Sequence, residues 1–174
     1  MKVRDALKIA TRDVHERLDA SLSGYLLDDR DSYAAFLTAQ AAAFLPVERA
    51  LTDAGAAALL PDWTQTLRSP RLLDDLSDLG ITTIPEVEPP SYDNEAALLG
   101  GIYVLEGSRM GAAVLARAVP AAFPHQFLSV RPPAGHWAAI IATLERKLYS
   151  SVQLHNAKAA ALRTFACFEQ AAGI

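Results

Sequence analysis

The chain has 174 residues, of which 51% are hydrophobic, and a formal net charge of −4 at pH 7. This length suits one globular domain with a sizeable core, and the composition excludes an intrinsically disordered protein. Because no run of lysine and arginine forms a basic stripe, nucleic acid is not expected as a partner. The single cysteine, Cys167, excludes an internal disulfide and fits the cytoplasm. No apolar run predicts a membrane span or a secretory signal.

Hydrophobic periodicity predicts an all-α protein, since alanine and leucine dominate and β-branched residues are few. We predict seven helices, at residues 2–20, 31–54, 61–67, 71–79, 94–119, 136–149 and 155–172. Proline-rich stretches at 81–92 and 120–135 are predicted to be connections. With no repeat and no linker, residues 1–174 are predicted to form a single helical bundle domain.

Local signals mark the ends of these helices. Asp31 is predicted to cap the second helix and Gly55 to end it, while Pro46 should kink or divide it. Gly80 is expected to end the fourth helix, and Pro120 to close the fifth.

The first predicted helix has a row of polar side chains beside its apolar stripe. Spacings of three and four residues place four of them on one face: Lys8, Thr11, His15 and Asp19. A carboxylate one turn from a histidine can hold one imidazole nitrogen and leave the other free for a metal. One histidine cannot form a zinc site, but it can supply the axial bond of a haem iron. A histidine at the border of an amphipathic helix is also common without a ligand.

The fifth predicted helix contains four glycines, at positions 100, 101, 107 and 111. Each interior glycine costs a helix about 1 kcal/mol relative to alanine. Gly100, Gly107 and Gly111 fall within an arc of about 40°, which leaves one face bare. Such a face admits either the backbone of another helix or a flat ligand. Gly107 and Gly111, one turn apart, make the stronger case for a ligand.

Two segments resemble the haem oxygenase family. They are residues 8–15, KIATRDVH, and residues 103–113, YVLEGSRMGAA. Their order, separation and helical setting extend the resemblance to nearly the whole chain, and it is closest to the bacterial biliverdin-producing branch that includes enzymes working with bacteriophytochromes. The resemblance implies an all-α bundle that holds haem between the first helix and a distal helix. It also implies oxidative cleavage of haem to biliverdin, carbon monoxide and ferrous iron, using O₂ and external electrons.

The resemblance implies roles for individual residues as well. His15 corresponds to the axial ligand of the haem iron, and Lys8 to a basic residue that pairs with a haem propionate. Asp19 corresponds to a carboxylate behind the ligand. Gly107 and Gly111 correspond to glycines of the distal helix, which bends over the other haem face and shapes the catalytic site.

The distal segment departs from the family's pattern at two positions. Many members have an aspartate where this chain has Ser108, and a further glycine where it has Ala112. The Ser108 hydroxyl can hydrogen-bond a catalytic water but lacks the charge of a carboxylate. Tyr103 is predicted either to contact a propionate or to pack. Arg109 is expected to face solvent or a propionate.

Propionate partners from the last helices are not fixed by the resemblance. Four cations are candidates: Arg146, Lys147, Lys158 and Arg163. The expected electron donor is a separate reductase or ferredoxin, because no nucleotide-binding glycine loop follows a strand. A bacteriophytochrome is a further expected partner, as the receiver of biliverdin.

Two other functions remain open from the sequence. Ser108 and Ala112 also suit a non-catalytic haem or tetrapyrrole sensor, store or chaperone on the same fold. A diiron or thiaminase-like relative is a third possibility. Diiron sites use Glu-x-x-His pairs, which this sequence lacks, and a thiaminase-like nucleophile would have to be Cys167.

Overall fold

Eight α-helices make up the computed structural model, which describes residues 1–174 and contains no strand. The helices are α1 (Val3–Leu22), α2 (Arg30–Asp53), α3 (Ala56–Leu59), α4 (Ser69–Asp78), α5 (Glu95–Leu115), α6 (Gln126–Ser129), α7 (His136–Lys147) and α8 (Ser151–Ala172). Two short 3₁₀ turns lie at Trp63–Thr66 and Ala116–Ala118. The all-α prediction is confirmed.

The glycines that end two helices are confirmed, whereas the predicted N-cap of α2 is not. Gly55 and Gly80 follow the ends of α2 and α4 with φ of 98° and 80°, a left-handed backbone that favours glycine. The predicted cap Asp31 is wrong, because the chain turns two residues earlier. The side chain of Asp29 accepts the hydrogen bond from the backbone N–H of Ser32, at 2.8 Å.

The last helix begins earlier than predicted. Helix α8 starts at Ser151 rather than at His155. Ser150 and Gln153 form a capping box, in which each side chain bonds the other residue's backbone N–H. This motif satisfies two free helix donors and so fixes the start of α8.

Three predicted elements differ in the structure. Helix α2 continues through Pro46, so the predicted division is wrong; Pro46 is buried, and the surrounding packing sustains the helix. Residues 61–67 form only the 3₁₀ turn Trp63–Thr66, whose indole Nε1 donates to Thr52 Oγ1 at 3.0 Å. The predicted connection at 120–135 contains the short helix α6.

Helix α5 lies at the centre of the bundle and packs most extensively against α8. A Cβ on Gly100 would collide with the backbone carbonyl of Ala157 in α8. A Cβ on Gly101 would collide with the side chains of Tyr92 and Leu51. These two glycines therefore serve close packing, which was one of the two interpretations of the glycine-rich helix.

The central helix is also the most apolar stretch of the chain. By length and composition alone, Glu95–Ala118 could cross a membrane, although no apolar run had predicted a span. Half of its most apolar window is buried inside the bundle. The apolar character of α5 is thus what its place in the core requires.

Candidate functional site

A cavity of about 500 Å³ lies between α1 and α5. Aromatic side chains from the surrounding helices complete its walls: Phe36, Phe127, Trp137, Phe165 and Phe168. The residues predicted as site residues all line this one cavity: Lys8, His15, Asp19, Tyr103, Gly107, Ser108 and Gly111. A concave space with aromatic walls and polar groups is typical of a small-molecule site.

His15 and Asp19 project from α1 one turn apart. His15 Nε2 lies 3.4 Å from Asp19 Oδ2, and the two side chains are 61% and 67% exposed. The imidazole ring also lies 5.6 Å from the ring of Phe165, measured between centroids. Nε2 thus faces Asp19, and no hydrogen bond is made by Nδ1.

A row of cations follows the same face of α1. Arg4, Lys8 and Arg12 are one turn apart, line the cavity and are exposed. None of them takes part in an ion pair of the structure. The row therefore offers three free positive charges to an anionic group at the edge of the cavity.

The candidate cations of the last helices do not reach this cavity. None of the four lines it: Arg146, Lys147, Lys158 and Arg163. Lys147 Nζ instead pairs with Glu95 Oε2 at 3.1 Å. None of the four candidates is therefore confirmed as a partner of a group in this cavity.

The α5 wall is bare where the sequence predicted it. A Cβ on Gly111 would meet no atom within 4 Å, and one on Gly107 would touch only the Trp137 ring, at 3.5 Å. These glycines face open space, unlike Gly100, which faces a backbone. Side chains at 107 and 111 would project into the cavity, so their absence keeps room for a flat ligand.

Tyr103 both packs and lines the cavity. Its ring lies 5.9 Å from the ring of Trp137, and burial raises the pKa of its phenol. Ala112 lines the cavity as well, and its methyl group is mostly buried. The small side chain at 112 thus narrows this wall only slightly.

Arg68, which the sequence did not single out, lies behind Ser108. Its Nη2 donates to Ser108 Oγ at 2.8 Å and to the carbonyl oxygen of Leu105 at 2.6 Å. The Ser108 hydroxyl donates to the same carbonyl at 2.6 Å. Arg68 therefore fixes the Ser108 hydroxyl at the wall of the cavity.

The surroundings of Arg68 are unusual for a cation. The side chain is 1% exposed, lines the cavity, has an unpartnered Nε and takes part in no ion pair. Its guanidinium carbon lies 4.7 Å from the centroid of the Phe44 ring. Burial lowers its pKa to about 10, so the group remains charged at neutral pH. Arg68 makes no salt bridge, although the charges of the buried carboxylates Glu106 and Glu48 act on it and partly offset the effect of burial on its pKa. Its guanidinium is thus a positive group at the wall of the cavity.

The prediction that Arg109 faces solvent or a propionate is wrong. Arg109 is buried and does not line the cavity. Its Nε donates to Glu106 Oε2 at 2.5 Å, and its Nη2 donates to the carbonyl oxygen of Thr66 at 2.6 Å. The spacing of three residues along α5 brings Glu106 and Arg109 together, on a face that other parts of the chain cover.

No family model matches the chain, but it is similar to known haem oxygenases in sequence and in fold. A haem oxygenase of Xanthomonas campestris pv. campestris (strain 8004) is 35% identical over 147 residues, which cover 80% of this chain and 88% of that protein. The crystal structure of the NO- and CO-bound haem oxygenase from Neisseria meningitidis superposes with a TM-score of 0.81. That match is 22% identical and covers 100% of this chain and 94% of the other, so it supports the shared fold.

Proposed function

This chain belongs to the haem oxygenase family and is an enzyme of haem degradation, and we propose that it binds haem in the cavity between α1 and α5. The observation that carries this proposal is the meeting of the His15 wall with the Gly107 and Gly111 wall across one cavity. The products are biliverdin, carbon monoxide and ferrous iron. A non-catalytic haem-binding function is not favoured, since the 35% identical relative is a haem oxygenase.

The residues present fit haem on three counts. The cavity is lined mainly by aromatic and aliphatic groups, which suit a porphyrin plane. At Gly111, open space replaces a side chain on the α5 wall. His15, on the α1 wall, has the chemistry of an axial iron ligand. Haem supplies the iron at which O₂ is activated and is itself the molecule oxidised.

On the α1 side, His15 would hold the iron, and Asp19, one turn away, would orient the imidazole. Lys8 pairs with a propionate, and Arg4 and Arg12 lie one turn away on either side to extend the same positive row. This positive row would attract the two propionates and so favour one direction of haem entry.

On the α5 side, Gly107 and Gly111 let the helix backbone approach the haem face. Ser108 Oγ accepts from Arg68 and donates to the Leu105 carbonyl, so its remaining lone pair can accept a hydrogen bond from a water in the cavity. Arg68 keeps its proton and would stabilise an anionic group bound near Ser108. Ser108, oriented by Arg68, thus stands where many members have an aspartate.

Two protein partners are proposed, an electron donor and a receiver of biliverdin. The reaction consumes O₂ and electrons, and a separate reductase or ferredoxin delivers the electrons. Biliverdin is then available to a bacteriophytochrome. We place the protein in the cytoplasm, in keeping with its lone, buried cysteine.

Reconstitution with haemin tests the proposal. We expect a one-to-one complex with a Soret band, and its loss with formation of biliverdin when ascorbate or a ferredoxin system is added in air. A Soret band that persists under these conditions, with no biliverdin, would contradict the catalytic function.

A further inference from the structure

A second polar cluster lies on α5 outside the cavity. It consists of Asp62, Glu106, Arg109 and His136, and none of its members lines the haem cavity. Glu106, on α5, is the centre. His136 Nε2 lies 2.7 Å from Glu106 Oε2, and His136 Nδ1 lies 2.9 Å from Asp62 Oδ2. We call these four residues the Glu106 cluster.

The geometry fixes the charge of His136. A neutral imidazole has one N–H, and both ring nitrogens of His136 face carboxylate oxygens at hydrogen-bonding distance. Both contacts are satisfied only when the ring is an imidazolium that donates twice. His136 is the first residue of α7, where the helix dipole disfavours a cation, so the two carboxylates keep the charge there.

The charged groups around His136 support this assignment. Asp62 faces it from the segment before the 3₁₀ turn, and Glu106 from α5, where Arg109 shares the carboxylate. The hydrogen bond to Glu106, together with that to Asp62, raises the pKa of His136 despite its burial. Burial would raise the pKa of Glu106, but bonds from His136 and Arg109 and the charges of Arg109 and Arg68 hold it below its usual value.

The cluster joins three parts of the chain at one place on α5. His136 ties the start of α7 to Glu106, and Arg109 ties α5 to the carbonyl oxygen of Thr66 in the 3₁₀ turn. Glu106 directly precedes Gly107. The ties therefore act on the stretch of α5 that two glycines weaken by about 1 kcal/mol each relative to alanine.

We propose that His136 is a positioning residue, which as an imidazolium between Asp62 and Glu106 holds residues 107–111 of α5 in place over the bound haem. This role rests on the proposed function. When His136 loses its proton, one of the two carboxylates loses its hydrogen bond, and this part of α5 gains freedom. The orientation of haem, and with it the carbon at which the ring opens, then becomes less uniform.

Amide hydrogen exchange of the haem-free protein tests the mechanical part. His136→Gln is compared with His155→Gln, which makes the same change at an exposed histidine of α8. At pH 6.5 we expect amides of residues 105–111 to exchange about tenfold faster in His136→Gln, the effect of losing a buried charged hydrogen bond. The control should exchange as the wild type does. Equal rates in all three proteins would overturn the proposal.

A second variant covers the case in which His136→Gln does not fold. Asp62 is partly exposed, and Asp62→Asn removes one of the two carboxylates while keeping its size. In the wild type, the exchange rate of amides 105–111, corrected for the intrinsic pH dependence of exchange, should rise with pH as His136 loses its proton. In Asp62→Asn this rise should begin at a lower pH. Curves that coincide would overturn the proposal.

The haem complex tests the functional part. We expect His136→Gln to bind haemin with the Soret band of the wild type but to yield a broader mixture of biliverdin isomers, and the wild type to approach that mixture as the pH rises. An isomer ratio unchanged by the variant and by pH would contradict the positioning role. If the wild type forms no haem complex, the proposed function fails, whereas the exchange experiment still decides the role of His136 in α5.

Discussion

Helices α1 and α5 wall the same cavity, but they are built in opposite ways. Helix α1 presents long, exposed polar side chains, and its key pair, His15 and Asp19, lies within one turn of the sequence. Helix α5 presents mostly apolar side chains and the two bare positions Gly107 and Gly111, and distant segments fix it from behind through Arg68 and His136. The comparison teaches that residues which would bind a ligand can lie close together in sequence, as on α1. The contacts that hold α5 in position come from residues far away in the sequence.

The largest effect should come from the α1 wall. We expect His15→Ala to lower haem cleavage by about two orders of magnitude, because the axial ligand is lost. Helix content should stay the same, since the His15 side chain is 61% exposed. Biliverdin formation and the Soret band measure the effect, and His155→Ala on α8 is the control. A His15→Ala variant with the wild-type spectrum and rate would show that the α1 wall does not supply the iron ligand.

The glycines of α5 separate packing from ligand space. Gly100→Ala should destabilise the protein by about 3 kcal/mol, because its methyl collides with the Ala157 backbone. Gly111→Ala should instead stabilise the haem-free protein by about 1 kcal/mol and weaken haem binding. Urea unfolding and haemin titration give the two quantities. A loss of stability in both variants would remove the distinction between them.

The buried support of α5 should make stability depend on pH. The pKa of His136 is raised above its unfolded value of 6.5, so its contribution is complete below that pH and is lost as the pH rises through the folded pKa. We therefore expect the free energy of unfolding to fall as the pH rises above 6.5, and His136→Gln to lose this part of the fall. The same slope in both proteins, measured by urea unfolding across pH, would count against an imidazolium at 136.

The smallest effect should come from Ser108. Ser108→Ala removes the hydroxyl that accepts from Arg68, but Arg68 keeps its bond to the Leu105 carbonyl. We expect a loss of about 1 kcal/mol in the free energy of unfolding. A loss several times larger would mean that Arg68 depends on Ser108 rather than on the α5 backbone.

The sequence predicted the parts of this site whose signals are local. The spacing of Lys8, His15 and Asp19, and the pair Gly107 and Gly111, can be recognised within one or two turns of helix, and all of these residues line the cavity. The same reasoning placed Arg109 against solvent or a propionate, because its bond to the Thr66 carbonyl joins residues 43 positions apart in the sequence.

The missed residues have partners far along the chain. Arg68 bonds Ser108 across 40 residues, and His136 bonds Glu106 across 30. Neither belongs to a motif, and each has a common surface residue type. Only the fold brings them together. The one local signal was that Arg68 directly precedes Ser69-Pro70, where α4 begins.

A crystal structure of the haem complex tests the central claim most directly. We predict haem between α1 and α5, with the iron bound by His15, the propionates near Lys8, and the opposite face against Gly107 and Gly111. Haem held elsewhere, or iron bound by another histidine, would contradict this account.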